Sequence, residues 1–462
     1  MKKIFIFLSF ALLITEISYS QLANQNTYLL KNIDVAGRSY SALWGYTAPN
    51  GREYAIIGYN RGTSYVDITD SANIREVDTI SGVNSSWREM KTYSHYAYIV
   101  SEGTNSRLQI VDLQYLPDSA HLVGVWSYSG YTKTHSISQS GPYLYLNGGN
   151  AATSVGGVAV VDVSNPETPV KLGEWSTEYV HDCRVLNDTI WAANIYTGKI
   201  SIISAMNKNS LQFIRNWQAY PQSTVSTHNC AFPVTRDYIY TTNEISSPAG
   251  KLNVWDIRDL SNITFVRDWQ PTGITNSIVH NIETAGNYAY IAHYTAGIRI
   301  LDISNPSNPV EVAWYDTYPS SNSNSFSGCW GVYKFPSGKI IGSDISNGLF
   351  VIKTNIVMTN QNPLNIQTAD NYTLNQNYPN PFNPVTNIKF SLKENSKVSL
   401  KIYSQEGKEV ADVINDRRDK GTYEVVFDAS RFNLSSGAYF YTLRAGNGSN
   451  SFTETKKMLL IK

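Results

Sequence analysis

Four histidines, His135, His181, His228 and His280, recur at intervals of 46, 47 and 52 residues, and a small polar residue follows each: Ser136, Asp182, Asn229 and Asn281. Neutral imidazoles suit Zn, Cu or Fe, and converging strands could aim several rings at one ion. Such an ion needs nitrogens at about 2.0–2.1 Å and carboxylates behind them, and Asp182 is the one acid beside a histidine of this set. The same slot holds Trp44, Trp87 and Trp330 in three further copies. On a closed ring, a tryptophan arc then faces a histidine arc, and indole faces offer a stacking wall for a sugar or an aromatic ligand. The four histidines are the candidate metal ligands. Trp44, Trp87, Trp330, Asp182, Asn229 and Asn281 are the candidate ligand-binding residues at a channel mouth. Plainer roles stand beside these: each histidine bonds to the neighbouring copy because the copy recurs, or lines a metal-free pocket, and the tryptophans plug the channel. No GxSxG, Walker-type loop, GxGxxG or HExxH occurs.

The elements that would position these residues are visible in Ser277–Thr317. Four short apolar runs rich in Val, Ile and Tyr sit there, cut by Gly, Asn, Ser and Pro. Runs of that length and composition read as strands. The third run ends in Leu301-Asp302-Ile303, and the pattern returns as Val66-Asp67-Ile68, Val111-Asp112-Leu113, Val161-Asp162-Val163 and Trp255-Asp256-Ile257. Two degenerate copies, Ile203-Ser204-Ala205 and Ile352-Lys353-Thr354, bring the number to seven. A four-stranded unit repeating at about 40–50 residues is the mark of a β-propeller blade. Blade seven stops after its third strand, so Thr27–Val35 is expected to supply the fourth and close the ring, with Ile356-Val357-Met358 as the alternative. The repeated Asp is expected to accept backbone N–H groups in the turn that follows rather than to bind calcium. Cys183 and Cys230, two residues beyond the aligned histidines, fill an apolar slot as small core residues. They lie on adjacent blades, which leaves a disulfide between them open.

Lysine plus arginine and aspartate plus glutamate balance at 37 each, which argues against a nucleic-acid or membrane-surface binder. Lys2 and Lys3 precede an apolar stretch too short to span a membrane, and Ser18-Tyr19-Ser20 offers a cleavage site. Residues 1–20 therefore read as a signal peptide, and no transmembrane segment follows. Residues 26–354 read as the propeller, 355–369 as a polar linker, and 370–462 as a small Ig-like sandwich. The fold class is all-β: a seven-bladed propeller followed by that sandwich.

The Asp-bearing third strands and the turns Ser164-Asn165-Pro166 and Ser304-Asn305-Pro306 resemble those of LVIVD-repeat proteins, the choice-of-anchor B family. This resemblance implies a secreted or surface propeller and says little of activity. The C-terminal stretch resembles the type A sorting domain of the type IX secretion system, found in Bacteroidetes and their relatives. Tyr378–Pro384, Ile402-Tyr403 with Gly407, Ser436–Tyr441 and the tail Lys456–Lys462 carry that likeness. It implies the type IX machinery as a partner, and an extracellular or cell-surface destination.

The reading that follows is a secreted or surface-displayed binding module whose channel mouth takes a protein, a glycan or a small ligand. A metal-dependent enzyme, hydrolase or oxygenase, using Zn, Cu or Fe on the histidine ring is the alternative. No motif marks the chain as an enzyme.

Overall fold

The computed structural model describes residues 24–152, 155–220, 226–356, 363–365, 371–418, 420–432, 434–447 and 450–461. The expected signal peptide lies outside them. Among the described residues the structure is strand and turn, apart from one 3-10 turn at Ala429–Phe432.

Seven antiparallel sheets make up the first body. Their first strands are Tyr40–Thr47, Arg88–Tyr93, Ser136–Ser140, Asp182–Leu186, Thr227–Ala231, Asn281–Ala285 and Cys329–Lys334. Each touches the first strand of the next blade, and the seventh touches the first, so they line a central channel. Second and third strands such as Tyr96–Ser101 and Leu108–Asp112 are buried along their whole length. Both their faces meet a neighbouring blade, which is why they read as unbroken apolar runs. Ala97 and Ile99 of blade two join Tyr54, Ile56 and Tyr65 of blade one in one core cluster. Tyr98 and Ile110, on the opposite face, pack with Leu144 and Leu146 of blade three. Burying each such Ile or Leu is worth about 1.5–3 kcal/mol. The fourth strands are half exposed, as in His121–Trp126.

The repeated aspartates cap the turn after the third strand. The carboxylates of Asp67, Asp112, Asp162, Asp256 and Asp302 accept the N–H two residues on, from Thr69, Gln114, Ser164, Arg258 and Ser304, at 2.8–3.0 Å. One side-chain geometry recurring in five blades is the local reason for the sequence signature.

The ring is closed by the N-terminal segment. Thr27–Ile33 pairs antiparallel with Gly348–Thr354 of blade seven. Just before it, Asn24–Gln25 adds a fifth strand to blade six against Trp314–Tyr315. One segment thus spans two blades. Met358, the end of the alternative closing segment, lies outside the described residues. All three cysteines are free and buried, so Cys183 and Cys230 fill the core role and form no disulfide.

The second body is a sandwich of two four-stranded sheets. One holds Pro363–Asn365, Thr373–Leu374, Val385–Leu392 and Gly421–Asp428. The other holds Ser396–Tyr403, Glu409–Arg418, Gly437–Asn447 and Asn450–Leu460. Pro363–Asn365, expected within a patternless linker, pairs with Thr422 and Tyr423. A three-residue edge strand carries too short a period to be read from sequence. Ile388, Phe390, Val398, Leu400, Leu443 and Met458 fill the core. The Asn-Pro segment is clasped onto the last strand: Phe382 N–H donates to Leu459 O and Ile461 N–H to Phe382 O, both at 2.9 Å.

Candidate metal centre at the channel mouth

Each histidine sits where its blade's first strand begins. The backbone N–H groups of His135, His181 and His280 donate to the carbonyls of Asn147, Ala193 and Ala292 near the ends of the second strands, at 2.8–3.0 Å. With His228 at the opening of Thr227–Ala231, the four rings form one arc. Neighbouring ring centroids lie 4.0, 4.2 and 4.3 Å apart from His135 through His181 and His228 to His280. Trp330 follows His280 at 5.0 Å, and Trp87 follows Trp330 at 6.0 Å.

Trp44 does not reach this mouth, and the tryptophan arc is two residues long. Ala42 takes the blade-one position beside the histidines. A register shift between Tyr40 and Leu43 displaces the first strand of blade one. Trp44 lines the next section of the channel, 4.8 Å from the Tyr333 ring with Lys91 Nζ 3.7 Å from its own ring centre. Asp182, Asn281 and Glu89 line both the mouth and that section, and Asn229, Arg184 and Glu283 line that section. There Arg184 ties three blades together, donating to Cys230 O at 2.8 Å, Ile282 O at 2.7 Å and Glu283 Oε1 at 2.5 Å. Asn229 donates to Asp182 Oδ2. Asp182 thus braces the channel rather than standing behind a histidine.

The carboxylates behind the rings come from residues that the repeat alignment passes over. Glu102 and Glu244 directly follow the second strands Tyr96–Ser101 and Tyr238–Asn243. An antiparallel hairpin returns that position to the start of the first strand, hence to the mouth. Glu102 Oε1 accepts a hydrogen bond from His135 Nδ1 at 2.7 Å. That bond, foremost, holds its carboxyl below the ordinary value. Glu244 lies deeper, its Oε2 3.5 Å from His228 Nε2 and its Oε1 3.7 Å from His280 Nε2. Tyr294 occupies the equivalent position in blade six with a φ of 21°, rare for a bulky residue. It donates to Glu244 Oε1 at 2.5 Å and lies 4.6 Å from the His280 ring.

These contacts fix tautomers. The Trp330 carbonyl 2.5 Å from His280 Nδ1 can only accept, so the proton sits on Nδ1. The Glu102 carboxylate assigns the His135 proton in the same way. In both rings Nε2 is left as a lone-pair donor, as in ligands braced by a carbonyl or carboxylate. The Nδ1 atoms of His181 and His228 are buried, and each ring has the backbone of the next histidine, His228 and His280, as a hydrogen-bonding neighbour. Burial, then the neighbouring rings, pushes both imidazoles well below their ordinary pKa. Burial likewise pushes His280 down to about 3 and Glu244 up to about 7. Potential ligand atoms of His181, His228 and Glu244 all lie within 4.8 Å of one another. A movement of roughly an ångström would seat them around a tetrahedral first-row ion at ~2.1 Å. The cavity they line measures about 30 Å³. That volume holds an ion or one or two waters, and no sugar.

Comparison with known proteins gives the chain its relations. The LVIVD repeat model matches residues 131–177 and 278–317. The secretion system C-terminal sorting domain matches 376–461. No curated protein matches the chain. Similar solved structures include the periplasmic gluconolactonase of Pseudomonas aeruginosa, 13% identical, covering 63% of this chain and 89% of that one at a TM-score of 0.47. A putative 6-phosphogluconolactonase from Bacteroides fragilis is 12% identical, covering 85% and 100% at 0.46. A protein from Lactobacillus plantarum is 10% identical, covering 85% and 100% at 0.48. Likenesses this distant say nothing of chemistry. The sorting domain marks the chain for type IX export to the extracellular or cell-surface compartment. Among the described residues no helix is long and apolar enough to cross a membrane.

Proposed function

We propose that this exported propeller of LVIVD repeats is a binding module that captures an extracellular ligand through a first-row transition-metal ion held at its channel mouth by His181, His228 and Glu244. The observation that supports this is the convergence of two imidazoles and a carboxylate, all within 4.8 Å of one another. His228 Nε2 faces Glu244 Oε2 at 3.5 Å, and a cation seated between them would take the lone pair of that nitrogen and the charge of that carboxylate. His135 and His280 flank the set with their Nε2 lone pairs free of the bonds that hold Nδ1. An ion seated on three protein ligands keeps open positions toward the mouth. Because the cavity is ion-sized, the captured ligand would lie across the rim, beside Trp87 and Trp330.

Metal content of the mature protein, purified without a histidine tag and measured by mass spectrometry, tests this reading. Near-stoichiometric Zn, Cu or Fe is expected, with loss in a His181→Ala/His228→Ala double variant and at least tenfold weaker retention in Glu244→Gln. Wild-type protein that takes up no metal after dialysis against Zn, while keeping its melting profile, refutes it.

A further inference from the structure

A larger cavity, of about 740 Å³, opens on the flank of the ring between blades five and six. This falls within the 300–1,000 Å³ range of small-ligand sites, unlike the channel mouth. Its lining combines aromatic rings with cations: Trp314, Trp269, Arg267 and Arg299, with Gln25 and Glu311.

Arg299 is 2% exposed. Its guanidinium lies 4.8 Å from the Trp314 ring centre. Nε donates to Ala296 O at 2.7 Å and Nη1 to Glu311 Oε1 at 3.3 Å, whereas Nη2 has no partner. A buried guanidinium N–H without an acceptor is costly and favours an arriving anionic oxygen. Arg267 stands exposed at the rim, with Nη1 bonded to Asn308. Trp314 is held by its indole N–H, which donates to Gln25 Oε1 at 3.1 Å. The N-terminal strand therefore orients the ring. Two arginines against one glutamate favour an anion, and broad indole surfaces favour the C–H faces of sugars.

We infer that this flank cavity binds an acidic oligosaccharide, its sugar rings laid against Trp314 and its carboxylate drawn by Arg267 and Arg299. The site shares no residue with the channel mouth, so its test is separate from that of the metal.

Isothermal titration of the full mature chain with trigalacturonate, beside uncharged cellotriose, decides the matter. Trigalacturonate is expected to bind with a Kd on the order of 0.1 mM and to weaken as salt rises. Cellotriose should bind at least tenfold more weakly. Arg267→Gln, an exposed change that leaves the core intact, should weaken trigalacturonate at least fivefold, and Trp314→Ala should abolish binding. The His181→Ala/His228→Ala variant should bind as wild type does. No heat at millimolar trigalacturonate, equal affinity for cellotriose, or an unaffected Arg267→Gln variant would each overturn the inference.

Discussion

Closure of the ring by Thr27–Ile33 can be tested in graded steps. Leu30 and Ile33 are its half-buried apolar residues, packed on a cluster that includes Tyr40, Leu43, Leu349 and Val351. Full burial of such a side chain is worth about 1.5–3 kcal/mol, so two half-buried ones contribute about 2 kcal/mol together. An unfolding entropy of about 2.1 cal/mol/K per residue gives roughly 0.7 kcal/mol/K for a body of about 330 residues. The double variant Leu30→Ala/Ile33→Ala should therefore melt about 3 °C lower. Deleting 24–35 should cost more. It also removes the bonds from Asn32 Nδ2 to Asn347 O at 2.8 Å and from Thr27 Oγ1 to Trp314 O at 2.6 Å. It would leave the apolar Gly348–Thr354 strand as an open edge, a template for association. Differential scanning calorimetry with light scattering after size exclusion reads both effects. Leu122→Ala/Val125→Ala, on the exposed outer strand of blade two, is the control and should shift melting by less than 1 °C. A deletion that leaves the melting curve and the monomer peak unchanged would refute the closure argument.

Two further outcomes follow from the same structure. Asp302→Ala should cost about 1 kcal/mol by orphaning the Ser304 N–H, while Asp302→Asn, which keeps the acceptor oxygen, should lose less than half of that. Urea melts of the two variants measure the difference, and equal losses would show that the charge rather than the acceptor matters. Removing 371–461 should trap the propeller in the periplasm, read by cell fractionation. Undiminished appearance at the surface or in the medium would show that export does not depend on this domain.

The blades were legible because their strands are short, β-branched and doubly buried, and because one turn geometry stamps an aspartate into five of them. The four histidines were legible for a related reason, since each stands at the opening of a first strand, three of them on the same backbone anchor. Register was the weak link. In blade one a single shift between Tyr40 and Leu43 moved Trp44 along the channel and left Ala42 at the mouth. Asp182, next to His181 in sequence, lines the mouth and the section beyond it, where Asn229 donates to its carboxylate.

The mouth is built from two chain positions per blade, and sequence periodicity exposes only one of them. The opening residue of the first strand recurs with the repeat and is easy to align. The residue after the second strand lies beside it in space because the hairpin folds back, although Glu244 is 16 residues past His228 and Glu102 belongs to the blade before His135. That position holds Glu102, Glu244 and Tyr294 in blades two, five and six, the residues that orient or face the histidines. Turn positions carry no periodic apolar signal, so they vanish from a reading based on strand pattern. Pairing each first-strand start with the residue after the second strand would have set Glu244 beside His228 from sequence alone. The set so paired is two imidazoles and a carboxylate, His181, His228 and Glu244, in place of four imidazoles. That set fits an ion of ordinary ligand number, and it makes Glu244→Gln a sharper probe of the mouth than any substitution of a flanking histidine.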